Sequence, residues 1–298
     1  MFTGTYTAIV TPFKNGQLDE AALDRLVRNQ IKGGVDGIVP VGTTGESPTV
    51  SYEEHMQIVA WSVTFAARKI KVLAGTGANS TSEAIYLTQA AETAGADGSL
   101  QVAPYYNKPT QEGVYQHFRA IADASQKPVV LYNIAGRTGT NIETPTLRRL
   151  AEVPNILGVK EASGNISQIA EVCGTLPEDF LVFSGDDSIT LAVIGLGGVG
   201  IISVASNAIP AEMTRMTQAA LANKWDMARM IFRKYLPLMQ AHFIESNPVP
   251  VKAVLSMLGR MEEVYRLPMC PIRPENRAKL EKVVTEVGLL QPHSVTVQ

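Results

Sequence analysis

The chain has 298 residues, 45% of them hydrophobic and 18% charged, and its 26 Lys and Arg almost balance its 28 Asp and Glu. This composition excludes a disordered chain, a nucleic-acid-binding protein with a basic stripe, and a membrane protein, because no apolar run approaches the roughly 18 residues of a membrane span. Two cysteines and four scattered histidines exclude a disulfide framework and a structural zinc site, so we expect a cytoplasmic protein.

Short apolar segments alternate with amphipathic stretches through the first three quarters of the chain. The apolar segments predict strands at Tyr6–Val10, Gly37–Val41, Lys71–Ala74, Gly98–Ala103, Val129–Tyr132, Ile156–Lys160, Leu181–Ser184 and Gly200–Val204. Each strand with its following helix spans roughly 27 residues, which is enough for a right-handed crossover. Eight similar units without a break in composition predict an α/β fold, a (β/α)8 TIM barrel over residues 1–223.

Local signals mark where helices begin and end. Ser51 with Glu54, and Ser80 with Glu83, have the spacing of a capping box at a helix N-terminus. The run Gly195–Gly200 matches G-x-G-x-x-G, but the dinucleotide fingerprint must follow a strand and open a helix. Here the run follows a helix and precedes a strand, so we interpret it as a turn. A nicotinamide-dependent oxidoreductase is the alternative that it would support.

The last quarter of the chain predicts helices without strands. About three are expected, near Met227–Met239, Val249–Leu258 and Glu275–Val287. The barrel is complete without them, so we expect residues 224–290 to cover a flank of the barrel or to form a subunit contact. Residues 291–298 are polar and are expected to fray.

Lys160 is the most informative polar residue. In a barrel of this kind the carboxyl ends of the strands form one mouth, where active sites are built. Lys160 ends the sixth strand, and a period of two places it on one face with Ile156 and Gly158. If that face is the lumen, burial disfavours the ammonium form and leaves a neutral amine that can attack a carbonyl. The alternative is a lysine that reaches solvent or pairs with Glu161.

Other polar residues end neighbouring strands. Tyr132 ends the fifth strand and can move protons at the mouth, although a core tyrosine is the alternative. The Thr43–Thr44 turn offers hydroxyls and backbone N–H groups to a carboxylate, or is a plain loop. Arg137 can bind a carboxylate through two hydrogen bonds, or is simply solvated. We interpret Asp186-Asp187 as a helix cap rather than a metal site.

Four segments at the predicted mouth occur together, in order and at characteristic spacing. They are Gly42–Glu46, Tyr105–Pro109, Tyr132-Asn133 with Arg137–Gly139, and Gly158–Ala162. Together they resemble the dihydrodipicolinate synthase family of class I, pyruvate-dependent aldolases. The resemblance runs from about residue 2 to Leu290 and includes Asn247–Lys252 and Leu267–Met269.

The resemblance implies the condensation of pyruvate with L-aspartate 4-semialdehyde to 4-hydroxy-tetrahydrodipicolinate, on the diaminopimelate route to lysine. Lys160 would form an imine with pyruvate, and Tyr132 would donate and accept protons. Tyr132 would be linked through Thr43 to Tyr106, which in the family reaches into the neighbouring subunit's site. The resemblance therefore implies a homodimer as the minimum unit and a homotetramer, built as a dimer of dimers, as the usual assembly.

The resemblance also implies how the substrates are held. Thr44 would bind the pyruvate carboxylate, Arg137 would bind the semialdehyde carboxylate, and Gly185 and the carbonyl of Ile202 would contact the site. No metal, nucleotide or other cofactor is implied. Some members of the family are inhibited by lysine at a subunit interface, and the residues that correspond are Ser47, His55, Asn79, Glu83 and Tyr105.

Two further readings stay open at this point. A sister aldolase for a sugar acid, such as N-acetylneuraminate or a 2-keto-3-deoxy sugar acid, would share Lys160 and Tyr132. The Tyr105-Tyr106 pair and Arg137 favour a small acidic aldehyde instead. A barrel that binds a partner without catalysis is the second alternative, and it predicts no reaction between Lys160 and pyruvate.

Overall fold

A computed structural model describes residues 2–291, so the fraying predicted for residues 291–298 lies, apart from Gln291, outside the described residues. In chain order the strands are β1 Gly4–Ala8, β2 Phe13–Lys14, β3 Gln17–Leu18, β4 Gly37–Val39, β5 Lys71–Gly75, β6 Gly98–Val102, β7 Val129–Asn133, β8 Ile156–Glu161, β9 Leu181–Ser184 and β10 Gly200–Ser203. The α-helices are α1 Glu20–Lys32, α2 Tyr52–Ala66, α3 Thr81–Thr93, α4 Gln111–Asp123, α5 Ala135–Thr138, α6 Thr144–Leu150, α7 Ile166–Thr175, α8 Thr190–Gly195, α9 Pro210–Leu221, α10 Trp225–Ala241, α11 Val249–Met257 and α12 Pro274–Glu286.

Within the described residues, β1 and β4 to β10 form a closed barrel of eight parallel strands, in which β1 pairs with both β4 and β10. The predicted (β/α)8 barrel is therefore confirmed. The short antiparallel hairpin of β2 and β3 was not predicted, because two residues per strand leave no period to detect. The run Gly195–Gly200 joins the end of α8 to the start of β10, as expected of a helix-to-strand turn.

Apolar side chains pack in an inner and an outer layer. The inner cluster fills the barrel and includes Tyr6, Leu73, Leu100, Phe183 and Ile202. The outer clusters lie between the barrel wall and the helices, and one of them joins α9 to α12 with the outer face of β10. The strands are thus buried on both faces, which explains their continuous apolar sequence. Among the described residues, no helix combines the length and the apolarity needed to cross a bilayer.

One of the two predicted capping boxes forms. Glu54 N donates to Ser51 Oγ at 3.2 Å, and Ser51 N donates to Glu54 Oε2 at 3.0 Å, at the start of α2. The box predicted at the start of α3 was wrong, because the Ser80 side chain accepts no backbone N–H there. Ser80 Oγ instead hydrogen-bonds with Ser82 Oγ at 3.1 Å.

His242 gives the fold a pH dependence. It lies at the C-terminal end of α10, completely buried, and neither ring nitrogen has a hydrogen-bond partner among the described residues. Burial lowers the pKa of His242 from 6.5 to about 3. As the pH falls, the unfolded chain therefore takes up this proton near pH 6.5, while the folded chain does so only near pH 3. The free energy of unfolding decreases across that window.

We expect His242→Met, a change of similar volume, to reduce this pH dependence. When the pH falls from about 8 to about 5, the neutral buried histidine lowers the free energy of unfolding by about 2 kcal/mol. The variant lacks this histidine, so its free energy of unfolding should fall by about 2 kcal/mol less than that of the wild type. Urea unfolding of both proteins at the two pH values measures the difference. An identical loss in both proteins would contradict the assignment.

Candidate active site

Lys160 lies inside the barrel at the carboxyl end of β8. The residue is 5% exposed, and the strand register places it between Tyr132 of β7 and Phe183 of β9. Its Nζ lies 4.0 Å from the centre of the Tyr132 ring. The amine thus packs against an aromatic ring and has little access to solvent, unlike a lysine that extends into water.

Gly158 shares this inner face with Lys160, as predicted, but Ile156 does not. The pairing of β7 with β8 shifts by one residue between Val129 and Val130. As a result Ile156 packs in the outer layer and its neighbour Leu157 packs against the inner one. The prediction for Ile156 was wrong because a one-residue irregularity reverses the alternation of faces.

Glu161 is not an ion-pair partner of Lys160. As the next residue along β8, it points to the opposite face of the strand. There its carboxylate accepts hydrogen bonds from Asn133 Nδ2 at 2.8 Å and from Ser163 Oγ at 2.7 Å. Burial raises the pKa of Glu161. Both alternatives for Lys160, exposure to solvent and pairing with Glu161, therefore disagree with the structure.

A cavity opens at the carboxyl end of the barrel. It has a volume of about 270 Å³, and Thr43 and Arg137 are among its lining residues. A smaller pocket of about 30 Å³ is lined by Thr43 and Tyr132 and shares Gly77 and Val102 with the larger one. The fold thus brings Thr43, Tyr132 and Arg137 to the same end of the barrel as Lys160.

The Thr43–Thr44 turn is held from several sides. Thr44 Oγ1 accepts a hydrogen bond from Asn247 Nδ2 at 3.0 Å, and Thr11 Oγ1 donates to the carbonyl oxygen of Gly45 at 2.6 Å. Val41 and Glu46, on either side of the turn, have φ angles of +53° and +57°. Positive φ is unusual for such residues, above all for a β-branched one, so the surrounding contacts fix this backbone.

Gly185 and Ile202 lie around the lysine. A Cβ at Gly185 would come within 2.7 Å of Ala162 Cβ and 3.0 Å of Lys160 Cε, so a larger residue would displace the lysine side chain. Ile202 is completely buried in the inner cluster that also holds Tyr132. Gly185 therefore lies beside Lys160, and Ile202 packs in the same inner cluster as Tyr132.

Tyr106 does not join the site of its own chain. It is 89% exposed, follows the end of β6 and has a φ of +74°. The predicted link through Thr43 to Tyr106 is therefore not made within one chain. Tyr105, its neighbour, lines the mouth cavity.

The residues predicted to bind lysine cluster in a second cavity of about 480 Å³, beside the mouth. Ser47, His55, Glu83 and Tyr105 line it, and Asn79 Nδ2 donates to the carbonyl oxygen of Tyr105 at 3.1 Å. Burial lowers the pKa of His55 to about 4, so this imidazole is neutral at neutral pH.

In the same second cavity, Glu83 hydrogen-bonds with the Tyr52 hydroxyl, which raises the pKa of Tyr52. The carboxylate of Glu83 therefore faces a polar cavity rather than capping α3.

Residues of the C-terminal region line the mouth cavity and were not predicted to do so. Asn247, Pro248, Pro268 and Met269 take part, and Arg137 Nη2 donates to the carbonyl oxygen of Asn247 at 3.1 Å. Their segments belong to the predicted resemblance, but no role was expected of them. An asparagine in an otherwise apolar and proline-rich segment was the available signal.

Asp186 and Asp187 make different hydrogen bonds. Asp186 caps a short 3-10 helix by accepting from Ser188 N at 2.8 Å, as predicted. Asp187 is buried and accepts from Ser203 Oγ at 2.5 Å and from Val204 N at 3.1 Å. Burial raises the pKa of Asp187 to about 6. Among residues 2–291, no three His, Cys, Asp or Glu side chains are grouped as metal ligands.

A buried lysine beside a tyrosine, at the mouth of a (β/α)8 barrel, is the arrangement of a class I aldolase, which forms an imine with its keto substrate. The model of the dihydrodipicolinate synthetase family matches residues 1–287. The 4-hydroxy-tetrahydrodipicolinate synthase of Koribacter versatilis is 54% identical over 294 residues, 98% of this chain and 98% of the relative.

Solved structures agree with this match. The 4-hydroxy-tetrahydrodipicolinate synthase of Methylacidiphilum fumariolicum SolV superposes with a TM-score of 0.95 at 46% identity, over 96% of each chain. The dihydrodipicolinate synthase of Acinetobacter baumannii, complexed with pyruvate, gives a TM-score of 0.96 at 43% identity, over 97% of this chain and 100% of that one. The chain therefore belongs to the dihydrodipicolinate synthetase family, which confirms the predicted resemblance.

Proposed function

We propose that the chain condenses pyruvate with L-aspartate 4-semialdehyde to give 4-hydroxy-tetrahydrodipicolinate. The observation that carries this proposal is the amine of Lys160, buried beside Tyr132 and turned away from Glu161. The names of its relatives support the same reaction, and one of the similar structures is a complex with pyruvate.

The first steps use Lys160 and Tyr132. Nζ of Lys160 attacks C2 of pyruvate, and the Tyr132 hydroxyl relays the two amine protons in turn to the carbonyl oxygen of pyruvate, which leaves as water. The product is an imine. Thr43 and Thr44 bind the pyruvate carboxylate through their hydroxyls and backbone N–H groups. Tyr132 then moves a proton from the methyl group to the imine nitrogen, which gives the enamine.

The enamine carbon attacks the aldehyde carbon of the second substrate, and the new alkoxide takes a proton to become a hydroxyl group. The amino group of the same substrate then attacks the imine carbon and displaces Nζ of Lys160, which closes the ring and restores the free amine. Arg137 holds the carboxylate of the semialdehyde at the mouth, where its guanidinium already contacts the C-terminal region.

We expect pyruvate and borohydride to label the protein once, at Lys160, because hydride reduces an imine to a stable amine. Intact-mass measurement and peptide mapping detect the reduced adduct. The control is Lys71→Arg, at the opposite end of the barrel, which should keep full labelling. Lys252→Arg is not a suitable control, because Lys252 is also buried. A labelled Lys160→Arg variant would contradict the proposal.

The choice of second substrate is tested in the same preparation. Condensation with L-aspartate 4-semialdehyde should exceed cleavage of N-acetylneuraminate and of 2-keto-3-deoxy sugar acids by orders of magnitude in kcat/KM. The opposite ranking would identify a sugar-acid aldolase that uses the same lysine.

Assembly and location belong to the same proposal. The exposed Tyr106 completes the site of a neighbouring subunit in a homotetramer. The two cysteines, Cys173 and Cys270, are both free, which supports a cytoplasmic location.

Complementation between subunits tests the role of Tyr106. Tyr106→Phe and Lys160→Ala should each lower kcat by about a hundredfold or more. When the two variants are co-expressed, part of the activity should return, because hybrids combine Lys160 of one subunit with Tyr106 of the other. Tyr132→Phe co-expressed with Lys160→Ala is the matched control and should recover nothing, since both residues serve one site of one chain. No recovery in the first pair would contradict the assignment.

We propose further that free lysine binds the second cavity and inhibits the enzyme. Glu83 provides a carboxylate for an ammonium group, and the cavity shares Ser47, Pro48, Gly77 and Tyr105 with the mouth cavity. A ligand in one cavity therefore contacts the wall of the other.

Lysine should lower the initial rate, and Glu83→Gln should raise the half-inhibitory concentration about tenfold, because one charge-assisted contact is lost. Glu112→Gln, which alters an exposed ion pair with Arg149 outside the cavity, is the control. A rate that does not respond to millimolar lysine would refute the proposal.

A further inference from the structure

A buried ion pair joins the C-terminal region to the mouth of the barrel. Lys252 Nζ lies 2.5 Å from Glu46 Oε1, and the two side chains are 0% and 1% exposed. The ammonium also donates to the carbonyl oxygen of Thr11 at 3.0 Å and lies 4.5 Å from the centre of the Phe13 ring. The charge is therefore well satisfied, although it is completely removed from water.

Stability alone does not account for such a pair. Removing two charges from water is costly, and well-packed apolar residues of similar volume often stabilise a fold equally well. What an ion pair adds is direction, because it fixes one carboxylate oxygen against one ammonium group. An ion pair of this kind can therefore hold one segment of backbone in a fixed position.

The Lys252–Glu46 ion pair holds the turn that binds the pyruvate carboxylate. Glu46 directly follows Thr43, Thr44 and Gly45, and its own φ is +57°. Thr11, which accepts from Lys252 through its carbonyl oxygen, donates through Oγ1 to Gly45 at 2.6 Å. Lys252 thus acts on the end of the turn directly through Glu46 and indirectly through Thr11.

The same C-terminal segment also contacts the middle of the turn. Asn247, just before α11, donates to Thr44 Oγ1 at 3.0 Å, while Lys252 lies within α11. The strained backbone at Val41 and Glu46 persists only where neighbouring groups impose it, and these contacts are the neighbours.

We propose that Lys252 and Glu46 are positioning residues for substrate, which hold the Thr43–Thr44 turn in the geometry that binds the carboxylate of pyruvate. This inference rests on the proposed function, since it concerns the same site. Neither residue takes part in the covalent chemistry at Lys160. The C-terminal region is accordingly part of the substrate-binding apparatus.

The test is the double variant Glu46→Gln/Lys252→Met, which nearly keeps the volume of the pair and leaves no unpaired buried charge. The pyruvate concentration that gives half-maximal borohydride labelling of Lys160, and the KM for pyruvate, should both rise about tenfold. The KM for the semialdehyde should change by less than about twofold, because Arg137 is untouched. A general loss of structure would instead lower kcat and alter both KM values.

Arg229→Met is the control. It breaks the exposed ion pair of Arg229 with Asp226 at the start of α10, in the same C-terminal region, and should leave both KM values unchanged. If the double variant does not fold, Thr11→Val removes only the hydroxyl that holds Gly45 and should raise the KM for pyruvate in the same selective way.

The outcomes separate the two proposals. A double variant, or a Thr11→Val variant, with the wild-type KM for pyruvate overturns the positioning role and leaves the proposed function intact. A wild-type protein that forms no adduct at Lys160 and does not condense the two substrates overturns the proposed function itself.

Discussion

The proposed reaction requires one amine to stay inside an apolar barrel. The pairing of β7 with β8 keeps it there, because its register sets Lys160 beside Tyr132 and sends Glu161 to the other face. Were the register one residue different at the end of β8, the carboxylate would enter the barrel and the amine would leave it. The chemistry of this chain therefore depends on the alignment of two neighbouring strands.

Local sequence patterns predicted the barrel and most of its mouth, because parallel strands and their helices have strong periods and converge at one end. They did not predict that the Ile156 side chain faces away from the barrel interior. That orientation results from an irregular pairing of β7 with β8, which depends on two strands together. Nor did they predict the hydrogen-bond partner of Ser80, whose hydroxyl bonds to Ser82 instead of to the helix backbone. The spacing of a serine and a glutamate shows that a capping box can form, but whether it forms depends on the other hydrogen-bond partners of the serine.

Long-range contacts set the other limit. The bonds of Asn247 to Thr44 and of Lys252 to Glu46 join residues more than 200 positions apart. No period or motif within one segment reports such a contact. The resemblance drew attention to these segments, but only the folded chain shows that they touch Thr44 and Glu46. A position at the mouth of a barrel is enough to propose roles for Lys160, Tyr132 and Arg137, but it does not predict the contacts that hold the turn.

The late position of Asn247 and Lys252 has a consequence for synthesis of the chain. A ribosome releases the residues of every barrel strand before it releases the segment that supports the Thr43–Thr44 turn. A nascent chain with a closed barrel would already enclose Lys160, but the segment from Thr43 to Glu46 would still lack its contacts with Asn247 and Lys252. We therefore expect catalytic activity to appear only after α11 and α12 have packed against the barrel.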